Sequence, residues 1–176
     1  MKNKEELMDN FNSFLKTHPR NYANAGQWGM FYEELNNLGH RIFAFPVLDG
    51  SVIHEGDIVM IDNSCHAYPI SIYDSLPDTE KISSECVGIA WCSLTRDNGA
   101  QIVLVHETSV LRMKNSGIIR YQITKNDICG ACYVENPCTV SKNPGNGFAG
   151  QIMGIENGEI LVLVRMTWEE VKNDNR

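Results

Sequence analysis

The sequence predicts a mainly β protein: a small β-barrel or β-sandwich domain with an N-terminal helical arm. Three observations predict it. From about residue 42 to residue 166, turn-forming residues recur at short intervals with no clear helical period between them, the spacing of a sandwich or small barrel. Two Asn-Gly pairs, Asn98-Gly99 and Asn157-Gly158, each lie between β-rich runs, and both residue types tolerate the positive φ of a type I′ turn. Before residue 40, apolar residues fall at helical spacing instead. The expected organisation is a helical arm or hairpin over 1–40, a β-rich domain over 41–170 and a polar tail over 171–176.

In the arm, Leu7, Phe11, Phe14 and Leu15 stand at i, i+4, i+7 and i+8 and form one stripe of a helix over 4–17. Pro19 ends it, and His18 before that proline is biased away from the helical region. A second helix is predicted over about 27–38. Its stripe is Trp28, Phe31, Tyr32, Leu35 and Leu38, and Gly39 suits the left-handed residue that follows a helix. Such stripes either cap the β domain's own core or dock a partner. In the second case Leu7, Phe11, Phe14, Leu15, Trp28, Phe31, Tyr32 and Leu35 are the candidate contacts, aromatic residues being enriched among interface hot spots.

The β-rich part opens with a strand over 41–48, where Pro46 implies an edge or a bend. Asp49-Gly50 turns the chain, 58–61 forms a strand, and 66–72 forms another with Pro69 at an edge. Residues 73–82, mostly polar and containing Pro77, are expected to be a loop. The stretch 83–113 is the expected centre of the domain, a hairpin around Asp97-Asn98-Gly99. In it Ile102, Val103, Leu104 and Val105 are apolar without alternation, as in a strand covered on both faces. Residues 110–113 bend into a further strand, and Asn115-Ser116-Gly117 turns the chain into a β-like run over 118–123. A short segment over 128–134 is broken by Asn136-Pro137 and followed by a β-like 138–141. Residues 143–147 read as a flexible loop, 149–155 and 159–166 as the last hairpin, and 168–171 as the end of the folded chain.

Composition narrows the function classes. At 176 residues the chain makes one sizeable domain, or a small one with an appendage. Its 43% apolar content is that of a globular protein. A net charge of −7 with no basic run argues against nucleic acid and anionic membrane surfaces as partners. The longest apolar run free of Pro and Gly, 160–164, falls far short of the roughly 20 residues that span a bilayer. The charged start Met1-Lys2-Asn3-Lys4-Glu5-Glu6 has no apolar signal core behind it, so the expectation is no secretion and folding in the cytoplasm. The six cysteines are then mostly small buried apolar side chains rather than disulfides.

The sequence also bears on chemistry. Cys129-Gly130-Ala131-Cys132 is a single C-x-x-C with Cys138 beyond it, half of the ligand set of a structural zinc site. It lies in a β-rich run rather than beside the βαβ pattern of a thioredoxin-like pair. His106 and Glu107 are adjacent at a strand end and point to opposite faces. Gly56-Asp57-Ile58-Val59-Met60-Ile61-Asp62 is superficially like the Ser/Lys self-cleaving peptidases attached to repressors, without their Ser and Lys at matching places. The pairs Glu33-Glu34 and Glu169-Glu170 fall on solvated faces. No G-x-S-x-G, Walker or Rossmann motif is present. The expectation is a chain with no catalytic residue, no cofactor and no metal.

Several pieces, in order, carry a resemblance. Gly56-Asp57-Ile58-Val59 follows a short strand, and Val87-Gly88-Ile89-Ala90 follows a polar loop. Gly99 leads into Val103-Leu104-Val105 and then Val110. The end reads Ala149-Gly150-Gln151-Ile152-Met153-Gly154-Ile155, then a strand from Gly158 to Val164-Arg165. Over about 48–166 this order resembles the small β-rich capsid cement, or head decoration, proteins of tailed bacteriophages. The arm and residues 127–141 lie outside the pattern. The resemblance implies a non-enzymatic virion protein, made in the host cytoplasm, that binds the outer surface of the capsid. Its implied partner is the major capsid protein, with self-association as a trimer and a head-fibre protein as further partners. The contact would be the arm or a β edge added to a capsid strand. Two other classes stay open: a head-fibre anchor or other capsid-attached adaptor, using the arm or the 143–147 loop, and a small β-barrel enzyme or metal-binding module using the cysteines.

Overall fold

Residues 42–95 and 101–165, together with Asp9, are described in a computed structural model of the chain. The helical arm, the Asn98-Gly99 turn and the 168–171 segment lie outside the described residues. Ten strands run through the described chain. They are β1 (Ile42–Pro46), β2 (Ile58–Ile61), β3 (Ala67–Pro69), β4 (Glu85–Thr95), β5 (Gln101–His106), β6 (Thr108–Asn115), β7 (Ala131–Asn136), β8 (Thr139–Ser141), β9 (Phe148–Glu156) and β10 (Glu159–Arg165).

Strand pairing traces two circuits. The first runs β3-β2-β4-β5-β1, every pair antiparallel. It returns to β3 through the parallel bridge Val47↔Ala67, where the Leu48 N–H donates to the Ala67 carbonyl at 2.8 Å. The second runs β9-β10-β6-β8-β7 and back to β9, a closed five-stranded barrel. Of the two predicted architectures, the barrel is therefore the one formed. Closure removes the unpaired edges that an open sheet would present.

Each circuit has its own apolar interior. Val47, Ile53, Val59, Ala67, Val87, Ala90, Val103 and Val105 fill the first. The barrel interior takes Leu111 and Met113 from β6, Cys132 and Val134 from β7, Val140 from β8, and Ile152, Ile160 and Val162 from β9 and β10. Alternate residues supply these interiors, as the two-residue period of a strand requires. Each fully buried aliphatic side chain contributes about 1.5–3 kcal/mol. The last hairpin forms as its turn predicts: Asn157 and Gly158 have φ of 52° and 83°, the values a type I′ turn needs.

Three segments differ from the sequence reading. The strand expected over 66–72 stops at Pro69 and gives way to a 3-10 turn, Ile70–Ser75. A turn of three residues per repeat aligns Ile70 and Tyr73, and both are buried. The expected loop over 73–82 holds a short helix, α1 (Asp78–Ser83). Pro77 supplies the extended residue before α1, acidic Asp78 and Glu80 stand in its first turn, and Lys81 lies toward its end. The run expected over 118–123 forms no strand; Ile119–Tyr121 within it make a 3-10 turn. Asn115 occupies the backbone of Ile123 from its side chain, donating to the carbonyl at 2.8 Å and accepting from the N–H at 2.9 Å.

A buried hydrogen-bonded joint ties the circuits together. Only Glu85↔Phe148 pairs β4 with β9. Around that pair, Tyr68 Oη donates to Ser84 Oγ, which donates to the Glu80 carbonyl at 2.6 Å. The Phe148 N–H donates to the Ser84 carbonyl at 2.9 Å, and the Gly147 N–H donates to Tyr73 Oη at 2.9 Å. The residues expected to form a free loop at 143–147 thus end on a buried anchor. A Cβ at Gly147 would stand 2.7 Å from the Lys81 carbonyl oxygen and 2.9 Å from that of Ser84. Both are backbone atoms, so relief requires the joint to open. Gly147→Ala is expected to cost about 1–3 kcal/mol, the range for overpacking, read as a lowered denaturant midpoint with an unchanged slope.

Burial also sets an alkaline limit. Desolvation pushes the Tyr68 phenol up to about 12, partly offset by its bond to Ser84, and raises Tyr73 for the same first cause. The buried Cys86 and Cys132 thiols are likewise pushed up to about 12 by desolvation. These groups keep their protons in the fold while the unfolded chain loses them above its ordinary values of 9.0 for Cys and 10.0 for Tyr. Stability is therefore full below about pH 9 and falls as pH rises toward 12. Urea midpoints should decline between about pH 9 and pH 12, and a midpoint that holds steady across that window would contradict this assignment.

Candidate interaction surface

The candidate partner residues Leu7, Phe11, Phe14, Leu15, Trp28, Phe31, Tyr32 and Leu35 all lie outside the described residues. Within the described residues the outer wall of the barrel provides a second apolar surface. With Leu111, Met113, Ile160 and Val162 turned inward, the alternation of β6 and β10 turns Val110, Arg112, Leu161 and Leu163 outward. The register sets Val110 opposite Leu163 and Arg112 opposite Leu161. On the other side of β10, a bulge in β9 leaves Met153 between the paired positions Ile152 and Gly154. Val110 and Met153 are 54% and 52% exposed, and Leu161 and Leu163 are half-buried.

Charge borders this stripe. Arg112 bonds Glu156 at 2.7 Å and stands 3.8 Å from Glu159. All three side chains are about half exposed, so the pairs contribute little to stability. They hold the guanidinium beside the apolar residues. A second exposed apolar point is the 3-10 turn, where Ile119 is 85% exposed and Ile118 adjoins it. The Arg120 guanidinium lies over the Tyr121 ring at 4.6 Å. An apolar stripe with an arginine at its border has the make-up of a protein-binding patch.

The signal for this wall was present in the chain. Residues 160–164 are apolar without alternation, so the outer positions Leu161 and Leu163 are as apolar as the inner ones. An uninterrupted run implies a second covered face on β10 as it does on β5.

The cysteines of the C-x-x-C turn away from each other in environment. Cys129 is exposed, in the left-handed region at φ 70°. Cys132 is buried in the barrel core with its thiol directed at the Gly150 carbonyl at 3.5 Å. Cys65 and Cys138 are exposed and Cys86 is buried. Among the described residues no group of three or more His, Cys, Asp and Glu side chains gathers as a metal site would require, and no helix is long and apolar enough to cross a membrane.

No family model, curated protein or solved structure matches the chain.

The cysteine environments generate a direct test. In the native protein a thiol reagent should modify Cys129 rapidly and leave Cys132 untouched. Cys132→Ser should lower stability by about 1–3 kcal/mol, through a polar group placed in the apolar core, while Cys129→Ser leaves it unchanged. Equal modification rates at the two positions, measured by mass spectrometry of the digested protein, would exclude this arrangement.

Proposed function

We propose that the chain is a capsid decoration, or cement, protein of a tailed bacteriophage, which binds the outer surface of the assembled head and stabilises the shell without catalysis. The observation that carries the reading is how the segments of the resemblance meet in space. Gly56-Asp57 and Ala90, more than thirty residues apart, exchange hydrogen bonds: Gly56 N–H to the Ala90 carbonyl at 2.9 Å and Ala90 N–H to the Asp57 carbonyl at 2.8 Å. Val105 pairs with Ala90 in turn, and the terminal segments of the pattern form the β9-β10 hairpin. The early pieces thus meet in one circuit and the last two form one hairpin, and this adjacency supports the reading. Fold alone does not fix function, and the second support is chemical. The interiors of both circuits are filled with apolar side chains, and apolar groups lie outside, on the barrel wall, at Ile119 and on the predicted stripe over 4–17.

The physical logic is linkage. A protein that binds the expanded lattice but not its disassembled form stabilises that lattice by mass action. Many copies, each touching neighbouring subunits, multiply the effect. The contact is assigned to the arm's first stripe, Leu7, Phe11, Phe14 and Leu15, together with the barrel wall. Head binding requires no metal in this reading.

The test uses heads assembled without the protein. Adding it should give saturable binding and raise the melting temperature of the particles. Phe11→Ser should weaken binding roughly 30-fold, the loss of about 2 kcal/mol expected at one aromatic hot spot. Absence of binding at micromolar protein would sink the proposal. Stoichiometric zinc in the purified protein, lost on replacing Cys129 or Cys132, would favour the metal-binding alternative.

A further inference from the structure

Two exposed apolar points of opposite local charge are each held in place by hydrogen bonds. The first is the tip of the 116–127 connection, where Ile119 is 85% and Ile118 48% exposed. Ser116 beneath it is buried, donates its N–H to the Val140 carbonyl at 3.0 Å, and accepts from the Ile118 N–H at 3.1 Å through Oγ. The Tyr121 N–H closes the turn onto the Ile118 carbonyl at 2.8 Å, and the Tyr121 carbonyl accepts from the Lys142 N–H at 3.0 Å. Asp127, the one acid of the connection, lies 3.5 Å from the Lys142 ammonium. With Arg120, Lys125 and Lys142, the tip carries three cations against one acid. The second point is Ile82 of α1, 58% exposed. It stands four residues after Asp78, on the same face of the helix. Asp74, Asp78 and Glu80 are exposed in this segment, and Lys81, 3.6 Å from Asp78, is the one base between 72 and 84. The joint fixes α1 in turn, through Ser84.

We propose that these two points meet between copies of the chain: the Ile118-Ile119 tip of one copy docks on the Ile82 face of α1 of the next. Charge complementarity selects that occupant. The chain carries −7 overall, so its copies repel at long range. The cationic tip is a place where a second copy is attracted, provided that it meets an acidic surface. α1 is acidic and has an exposed isoleucine at the same place, so charge and apolar contact are both matched. Preorganisation adds to this. The backbones at both points are already bonded, so docking orders side chains alone. An anionic membrane is the poorer occupant, because two isoleucines bury little apolar area and the net charge opposes it. The two surfaces differ, so the contact is head-to-tail and either closes into a ring or grows as a chain.

This self-contact goes beyond the decoration reading and stands without it, since it concerns the isolated protein. It uses neither the barrel wall nor the stripe over 4–17, which that reading assigns to the capsid. A contact of this extent falls below the roughly 1,200 Å² of a stable interface, so the expected dissociation constant lies between about 10 μM and 1 mM.

The experiment is sedimentation equilibrium of the full chain at up to about 1 mM protein. The mean mass should rise with concentration. The association should weaken at least about tenfold between about 0.05 M and 0.5 M salt, as screening grows. Ile119→Asp and Ile82→Asp each change an exposed side chain, so both variants should keep the wild-type melting temperature and stay monomeric. Mixed together, they should form a dimer and nothing larger, because each supplies the surface that the other lacks. Self-association retained by either variant alone overturns the proposal, and so does a mixture that stays monomeric. Wild-type protein that is monomeric at the highest concentration overturns it too. If that monomer binds vesicles of phosphatidylcholine and phosphatidylserine, the tip docks on lipid instead. A failure of head binding leaves these readouts intact and sinks only the decoration reading.

Discussion

The hydrogen-bonded joint at Tyr68, Tyr73, Ser84 and Gly147 is the constraint on which the rest of the structure depends. The two circuits share a single backbone pair, Glu85↔Phe148, too little to fix one against the other. The excursion between β3 and β4 fixes them, together with the packing of Met60, Tyr68 and Cys86 against the barrel core and the Ile89 N–H bond to Ser109 Oγ at 3.2 Å. The 3-10 turn delivers Tyr73 to the Gly147 N–H, and α1 delivers the Ser84 carbonyl to the Phe148 N–H. Tyr68, Tyr73 and Ser84 are almost fully buried. Breaking one bond would strand its partner without water, which costs more than the bond itself contributes. The glycine at 147 is there because two carbonyls approach where a side chain would begin.

This construction places apolar groups in two kinds of site. Interiors take inward-facing residues of the strands: the first circuit is packed with aliphatic side chains, and the larger cluster that includes the barrel core adds sulfur-containing and tyrosine side chains. β5 and β10 are apolar outward as well. On β5 the outer face is buried at Ile102 and Leu104. On the barrel wall Val110 and Met153 remain exposed beside the half-buried Leu161 and Leu163 of β10. The wall leaves a face open to another molecule, which the proposed capsid role would use.

Much of the β architecture was legible from local chemistry. The Asn157-Gly158 turn, the break at Pro137, the edge position of Pro46 and the double burial of β5 each follow from a residue's own backbone or hydration preferences. The misread segments share a cause. Ile118 to Ile123 has β-forming residues, yet Asn115 satisfies the Ile123 backbone from its side chain and the run closes into a 3-10 turn. Over 70–83, two short helical turns form because Tyr73 and Ser84 have distant partners at Gly147 and Phe148. No local pattern encodes a contact across more than sixty residues. The C-x-x-C reads as a pair in sequence, and the fold separates it into one exposed and one core thiol.

The sequence by itself determined that the described chain is mainly β, where several of its turns fall, which strand positions are apolar, and that β5 is apolar on both faces. Those properties rest on turn geometry and side-chain period, which act over a few residues. Only the tertiary structure decided that the strands close into a barrel and a second circuit rather than stack as a sandwich. It alone joined Gly56-Asp57 to Ala90, and it alone distinguished the buried outer face of β5 from the open wall of β10. These outcomes depend on which strand edges meet and which backbone groups find partners across the chain, and such pairings are settled only when the whole apolar interior assembles.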